Sequence, residues 1–237
     1  MDPTIAIRTV TVTGSTNDDL ASLAREGAAE GVWLRAERQR SGRGRQGREW
    51  HSPPGNLYAS TLVRLRPGDP PAPTLALVAA VALHEVACAF ASRAPIEIKW
   101  PNDLMVAGAK LSGILLERLD DAVIVGFGVN LADHPDEIRP TISFGQLGGA
   151  PDPAAFLDAL AESFARWLER WRQGGVGPVR ERWLAAAHPP GTALSTHTAG
   201  GDWVEGTFEG LDESGALRLR LADGSSQVIH AGDVFLL

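Results

Sequence analysis

An α+β body followed by a small all-β cap is the fold class that this sequence predicts. Three features carry that reading. Up to residue 187, β-branched runs alternate with segments whose apolar residues recur at helical spacing. From residue 192 onward, short alternating strands are separated by Gly- and Asp-containing turns. Between the two stands His188-Pro189-Pro190-Gly191, which interrupts both patterns. Two domains are therefore expected, 1–188 and 189–237.

The elements follow in chain order. Residues 5–12 are rich in β-branched side chains and predict a strand. It runs into Gly14-Ser15-Thr16-Asn17, after which Leu20, Leu23, Ala24 and Ala28 recur at helical spacing, with Ser15 or Thr16 as the N-cap. Residues 32–36 predict a second strand. The run 39–55 is Gly-, Arg- and Pro-rich without an apolar period, hence a loop long enough to suggest function. Residues 57–65 predict a strand, 74–91 a strongly apolar helix, and 96–100 a short strand stopped by Pro101. Strands at 111–117 and 122–131 flank Asp120-Asp121 as their turn. Phe156, Leu157, Leu160, Phe164, Trp167, Leu168 and Trp171 form the stripe of an amphipathic core helix, and 179–187 predicts another. Five strands at 192–196, 203–211, 216–221, 227–230 and 234–237 complete the chain. Turns at Gly200-Gly201, Glu213-Ser214-Gly215 and Asp223-Gly224 separate them, which suggests a small β-barrel.

Composition narrows the function classes. With 44% hydrophobic and 22% charged residues among 237, disordered and fibrous classes are excluded. A single cysteine, Cys88, rules out an intramolecular disulfide framework and any multi-cysteine metal site. The opening MDPTIAIRTV has no long apolar stretch, and the apolar helix near 75–90 carries His84 and Glu85. No secretory signal or membrane span is expected, and the expected compartment is the cytoplasm. The net charge of −7 argues against a general nucleic-acid binder. Its distribution is uneven: six arginines against Glu37 lie between Arg35 and Arg48, leaving −12 on the rest. Arginine is the default cation here, so the two lysines of the chain, Lys99 and Lys110, stand out.

Four segments could carry chemistry. In Ser41-Gly42-Arg43-Gly44-Arg45-Gln46-Gly47-Arg48-Glu49-Trp50, glycines allow close backbone approach and alternating arginines present forks to phosphate or carboxylate. A solvated basic loop or an RGG-like nucleic-acid segment has the same composition. Lys99-Trp100-Pro101-Asn102-Asp103 and Lys110-Leu111-Ser112-Gly113 place two lysines around one acid and one glycine, though Pro-Asn-Asp is also an ordinary turn. At ~4 Å and an effective dielectric of ~20, a lysine–anion pair is worth about 4 kcal/mol before desolvation, enough to matter in catalysis. Gly126-Phe127-Gly128-Val129-Asn130 has two glycines in a β-rich strand, which marks either a bulge or a close approach. Ser15-Thr16-Asn17 reads as a helix cap or as a set of polar ligand contacts.

Taken in order, STN, QxSGRGRxGRxW, KWPNDL, KLSGILLE and GxGVNL resemble the biotin protein ligase family over residues 15–131. The resemblance implies a catalytic domain related to class II aminoacyl-tRNA synthetases, a mixed sheet with helices, followed by a Src-homology-3-like β-barrel. It implies joining of biotin to ATP with magnesium, giving biotinyl-5′-AMP, and then transfer of the biotinyl group to a lysine of a carboxylase's biotin carboxyl carrier domain. By resemblance, Ser15, Thr16, Asn17 and Gln39 bind the ureido ring, which needs donors and acceptors. Arg43, Gly44 and Arg45 lie along the biotin carboxylate and the adenylate phosphate, with Gly113 beside them. Arg48, Trp50, Lys99, Asn102 and Asn130 serve the nucleotide, and Trp100 either walls it or belongs to the core. Lys110, Arg45 and Asp103 are the catalytic candidates: Lys110 bridges carboxylate and α-phosphate, and Asp103 orients or deprotonates the acceptor lysine, holds magnesium, or braces the turn. The metal ligands and the role of Asp18, after Asn17, stay open.

The same resemblance predicts that the loop 39–50 closes over the adenylate as a lid. Some relatives carry an N-terminal winged helix. Fourteen residues precede Ser15, so DNA regulation is not expected, while pairing through the catalytic sheet leaves a homodimer open. Two rivals remain: a lipoate or octanoate ligase of the same fold, over which the GRGRxGRxW loop favours biotin, and a nucleic-acid-binding module built on that loop.

Overall fold

A computed structural model describes residues 5–91, 93–134, 140–197 and 203–236. β1 (Ala6–Thr13), β2 (Val32–Gln39), β3 (Leu57–Arg64), β4 (Ile96–Lys99), β5 (Asp103–Val106), β6 (Ala109–Leu119) and β7 (Ala122–Val129) form one sheet in the order β1-β2-β3-β7-β6-β5-β4. β1 and β2 are parallel because α1 (Thr16–Arg25) crosses between them; every other neighbouring pair is antiparallel. α1 covers one face through Leu20 and Ala24, packed on Leu34, Leu62 and Ile124. The other face carries α2 (Leu75–Phe90), α3 (Pro153–Gly174) and α4 (Val176–Leu184), which hold most of the core.

The local chemistry explains these helices. α3 starts where the Asp152 carboxylate accepts from Ala154 N and Ala155 N at 3.0 and 2.9 Å, with Pro153 at its first position. Such a cap is worth about 1 kcal/mol. Its stripe from Phe156 to Trp171 is buried as the spacing predicts, with Trp171 donating to Thr74 Oγ1 at 2.8 Å. α2 is strongly apolar and buried accordingly; together with the helical turn before it, the segment Ala72–Phe90 is long and apolar enough to cross a membrane, but most of it lies inside the molecule.

A second sheet contains β8 (Ala193–His197), β9 (Trp203–Leu211), β10 (Leu217–Arg220), β11 (Ser226–Ile229) and β12 (Val234–Leu236), in the order β11-β10-β9-β8-β12. All five expected strands are present; the Gly200-Gly201 turn lies outside the described residues. The core continues across both sheets: Leu194, Phe208, Leu217 and Leu219 belong to the same cluster as α2 and α3, and Trp100 Nε1 donates to Gly215 O at 3.1 Å. Trp100 is thus largely packing that ties the sheets together, although its edge also reaches the large cavity described below.

Three local expectations are revised. β5 was hidden in a stretch read as a Pro-Asn-Asp turn: the turn ends at Asn102, and the four residues from Asp103 pair with both β4 and β6. The glycines of β7 form no bulge. Its registers with β3 and β6 run unbroken through Gly126 and Gly128. Ser15 has the extended backbone of an N-cap but makes no side-chain capping bond, which leaves its hydroxyl for other use.

Candidate active site

β2, β5, β6, β7, the start of α1 and the loop after β2 enclose a cavity of about 760 Å³, closed on one side by residues 233–236 of the second sheet. Every site residue named from the sequence, from Ser15 to Asn130, lines it. They sort into a neutral end and a cationic end.

At the neutral end, Thr16 N and Oγ1 donate to Gln39 Oε1 at 2.9 and 3.2 Å, and Thr16 Oγ1 lies 2.7 Å from Ser60 Oγ. Ser60 donates to Asn17 Oδ1 at 2.6 Å, and Asn17 Nδ2 donates to Glu117 at 2.7 Å. Thr16, Asn17 and Ser60 are buried, so this chain is fixed in a low-dielectric setting. Gly126 makes room for it: a Cβ there would lie 2.3 Å from Asn17 Oδ1. The second glycine of β7 has a matching task. A Cβ at Gly128 would lie 2.4 Å from Trp50 Cε2, and one at Gly113 would lie 3.0 Å from the same indole. Trp50 therefore lies flat across β6 and β7, and both glycines exist for its ring.

The arginine loop is shaped by internal pairing. Arg43 and Glu49 form a β-bridge around a 3₁₀ turn at Arg45–Gly47, and Trp50 N donates to Gly42 O at 2.9 Å. Arg43 does not present a free fork. Its two terminal nitrogens donate to both Asp18 oxygens at 2.7 and 2.6 Å, and one reaches Glu117 at 3.4 Å. The hydrogen bonds from Arg43 hold the Asp18 carboxyl below its usual range. This answers what Asp18 does: it pins the loop to α1. Arg45 is mostly buried, and that burial pushes its guanidinium below its ordinary value, against the pull of Asp233 and Asp103.

At the cationic end, β4–β5 pairing sets Lys99 opposite Asp103, and Lys110 enters from β6. Asp103 lies 2.8 Å from Lys110 Nζ and 3.6 Å from Lys99 Nζ, so the three leave one positive charge. Lys110 Nζ also sits 5.3 Å from the Trp50 ring centroid, a cation–π contact. The Lys110 backbone is clamped by Lys110 N on Pro140 O and Ile142 N on Lys110 O. Asn130 Nδ2 donates to Ile142 O at 3.1 Å and so braces that clamp from within the cavity. Asn102 likewise braces: it donates to Ile114 O at 2.6 Å and accepts from Arg45 at 3.4 Å. Among the described residues no group of three or more His, Cys, Asp or Glu could cage a metal ion.

Two contributors were not found from the sequence. Glu117 stood in view as the last letter of KLSGILLE, but the exposed-looking end of a strand gave no hint that it would join Asn17 to Arg43. Asp233 lies more than 180 positions from the loop it contacts, and nothing local in the sequence marks it.

A polar neutral end and a cationic end, joined under a tryptophan, suit a long ligand with an uncharged ring and an acidic tail, with room for a polyphosphate beside it. The family model for the biotin/lipoate A/B protein ligase family matches residues 10–130, and that for the biotin protein ligase C terminal domain matches residues 197–237. A Paracoccus denitrificans protein named biotin--[acetyl-CoA-carboxylase] ligase is 42% identical, over 94% of this chain and 97% of its own. A Mycobacterium tuberculosis protein of the same name is 34% identical, over 95% and 86%. Among solved structures, biotin protein ligase from Aquifex aeolicus in complex with biotin and ATP superposes with a TM-score of 0.88. It is 24% identical and covers 98% of this chain and 99% of that one, a likeness of fold.

Proposed function

This chain belongs to the biotin/lipoate A/B protein ligase family, and on that premise we propose that it is a biotin–[biotin carboxyl-carrier protein] ligase. It activates biotin with ATP and passes the biotinyl group to a lysine of a carboxylase's carrier domain. The observation that carries this reading is the single cavity in which Thr16, Asn17 and Gln39 form a neutral end and Lys110, Arg45 and Arg48 a cationic one.

The chemistry follows from that layout. A biotin carboxylate oxygen attacks the α-phosphorus, the bond to the β-phosphate bridging oxygen breaks, and pyrophosphate leaves. Lys110 and Arg45 stabilise the charge that builds on the oxygens between carboxylate and phosphorus. Magnesium would be held chiefly by the ATP phosphates and water, with at most one or two carboxylates, and would offset the charge of the leaving pyrophosphate. In the second step the acceptor amine attacks the acyl carbon and AMP leaves. Asp103, released from Lys110 when that ammonium turns to the adenylate, faces the incoming amine and takes its proton.

The cytoplasm, where ATP is available, is the proposed compartment. The proposed domain division lies at 188/189, and it is supported by His188, which meets Glu97 of the body at 2.9 Å, and by β8, which opens the second sheet a few residues later. The arginines of the loop are engaged by Asp18, Glu117 and Asp233, which supports an internal anion site over a nucleic-acid surface.

Pyrophosphate release with MgATP tests the assignment. Release that depends on biotin, and not on lipoate or octanoate, is expected; release with lipoate alone moves the chain to the other branch of its family. The lid is tested by limited proteolysis. Cleavage between Gln39 and Trp50 is expected to slow markedly when biotin and ATP are added together, and equal cleavage with and without them removes the lid.

A further inference from the structure

Arg45 and Arg48 share one anion, and it comes from the other sheet. An Asp233 oxygen lies 3.5 Å from Arg45 Nη1 and another contact of 2.9 Å joins Asp233 to Arg48 Nη2, while Arg45 Nη2 donates to Gly232 O at 3.0 Å. The second sheet fixes that carboxylate in place. Thr196 Oγ1 donates to the Asp233 carbonyl at 2.9 Å, and Val234 begins β12. Gly232 has φ +159, and a Cβ there would lie 2.9 Å from Thr196 Oγ1 and 3.0 Å from His197 O, so only glycine brings the turn this close. Asp233 is 16% exposed, and Arg48 is 44% exposed at the mouth. The inner pair is therefore shielded and the outer one opens cheaply.

A buried guanidinium without an anion is costly. Without nucleotide that cost is avoided through Asp233, and a polyphosphate reaching the same arginines would replace one anion by another. We infer that Asp233 is a positioning residue, the resident counter-anion of the phosphate subsite, which holds Arg45 and Arg48 in place when no nucleotide is bound and yields them to the incoming polyphosphate. The inference rests on the reading of this cavity as an ATP site. It makes nucleotide affinity a competition, and it ties the second sheet to the arginine loop through one side chain.

Asp233→Asn keeps the size and an acceptor oxygen but removes the charge. Magnesium tripolyphosphate, titrated calorimetrically into the full-length protein, is expected to bind about fivefold more tightly to this variant at low salt. The gain should shrink as ionic strength rises. The KM for ATP should fall in parallel while the KM for biotin holds, and Asp233→Glu should restore the wild-type values. A merely structural role would move both KM values or neither. Unchanged or weaker tripolyphosphate binding in folded Asp233→Asn protein overturns the inference. Should asparagine not be tolerated, Asp233→Ser gives the same reading. Tighter tripolyphosphate binding in a protein that releases no pyrophosphate with biotin supports the role of Asp233 and instead sinks the ligase assignment.

Discussion

Lys110→Ala is expected to abolish adenylate formation, lowering biotin-dependent pyrophosphate release by on the order of a thousandfold, about 4 kcal/mol of transition-state stabilisation. Lys110 is the ammonium best placed to meet charge shared between a carboxylate and a phosphate. It reaches into the cavity beside Gly113, with Trp50 on one side and Asp103 on the other. The fold should survive the change. Lys110 is about one-third exposed, and Asp103 keeps Lys99 at 3.6 Å, so no buried carboxylate is stranded. A thermal midpoint shifted by less than about 1 kcal/mol equivalent is expected. Lys110→Arg should not restore the rate. A planar fork is wider than an ammonium, and the space at Nζ is bounded by Gly113 and the Trp50 ring. That is also why a chain with twenty arginines keeps a lysine at this position. Full activity in folded Lys110→Ala protein would remove Lys110 from the mechanism.

How much of this was legible in the sequence depended on whether the signal was local. Helix α3 and the strands of the second sheet showed themselves through apolar periodicity, because one buried face imposes it, and α2 through a long apolar run, because most of it is buried. The short β5 did not. Pro101 ends one strand and Asp103 begins the next, so a four-residue strand was indistinguishable from a turn until its partners were present. The site divides in the same way. Residues grouped in motifs, such as Ser15-Thr16-Asn17 and the arginine loop, were found because several chemical groups in one stretch are improbable without a use. Their partners were less legible: Asp18 stood in view without a role, Glu117 and Asp233 were not found, and the three act on arginines 25, 74 and 185 positions away, since a lone carboxylate carries no mark of what it will face. The glycines of β7 were ambiguous for a related reason. A missing side chain says that something is close, and only the fold says that the something is an indole and an asparagine rather than a bulge.

That last point yields the second large effect, in Gly128→Ala. Gly128 pairs with Tyr58 on β3 and with Gly113 on β6, so strand β7 is held on both sides and cannot retreat. The new methyl would lie 2.4, 2.6 and 2.7 Å from three atoms of the Trp50 ring. A flat, rigid indole has no flexible end to bend away, so Trp50 must leave its bed. Because Trp50 N is bonded to Gly42 O, the loop that carries Arg45 and Arg48 should move with it. Overpacking of this kind costs about 1–3 kcal/mol if the ring is forced to stay, and less if it swings out. Expulsion is expected to be the cheaper course, since Trp50 is only partly buried. The variant should therefore melt close to the wild type, yet show KM values for biotin and ATP raised by about tenfold or more and a loop cut faster by protease. Gly177→Ala, in open space on α4, serves as the control and should leave both constants unchanged. The decisive comparison is made in the background of Trp50→Ala. With the indole gone there is nothing for the methyl to strike, and Gly128→Ala should then add little to the cost already incurred by losing the tryptophan. If the two costs simply add, the glycine serves the strand rather than the ring, and the close approach of Trp50 is not what keeps Gly128 there.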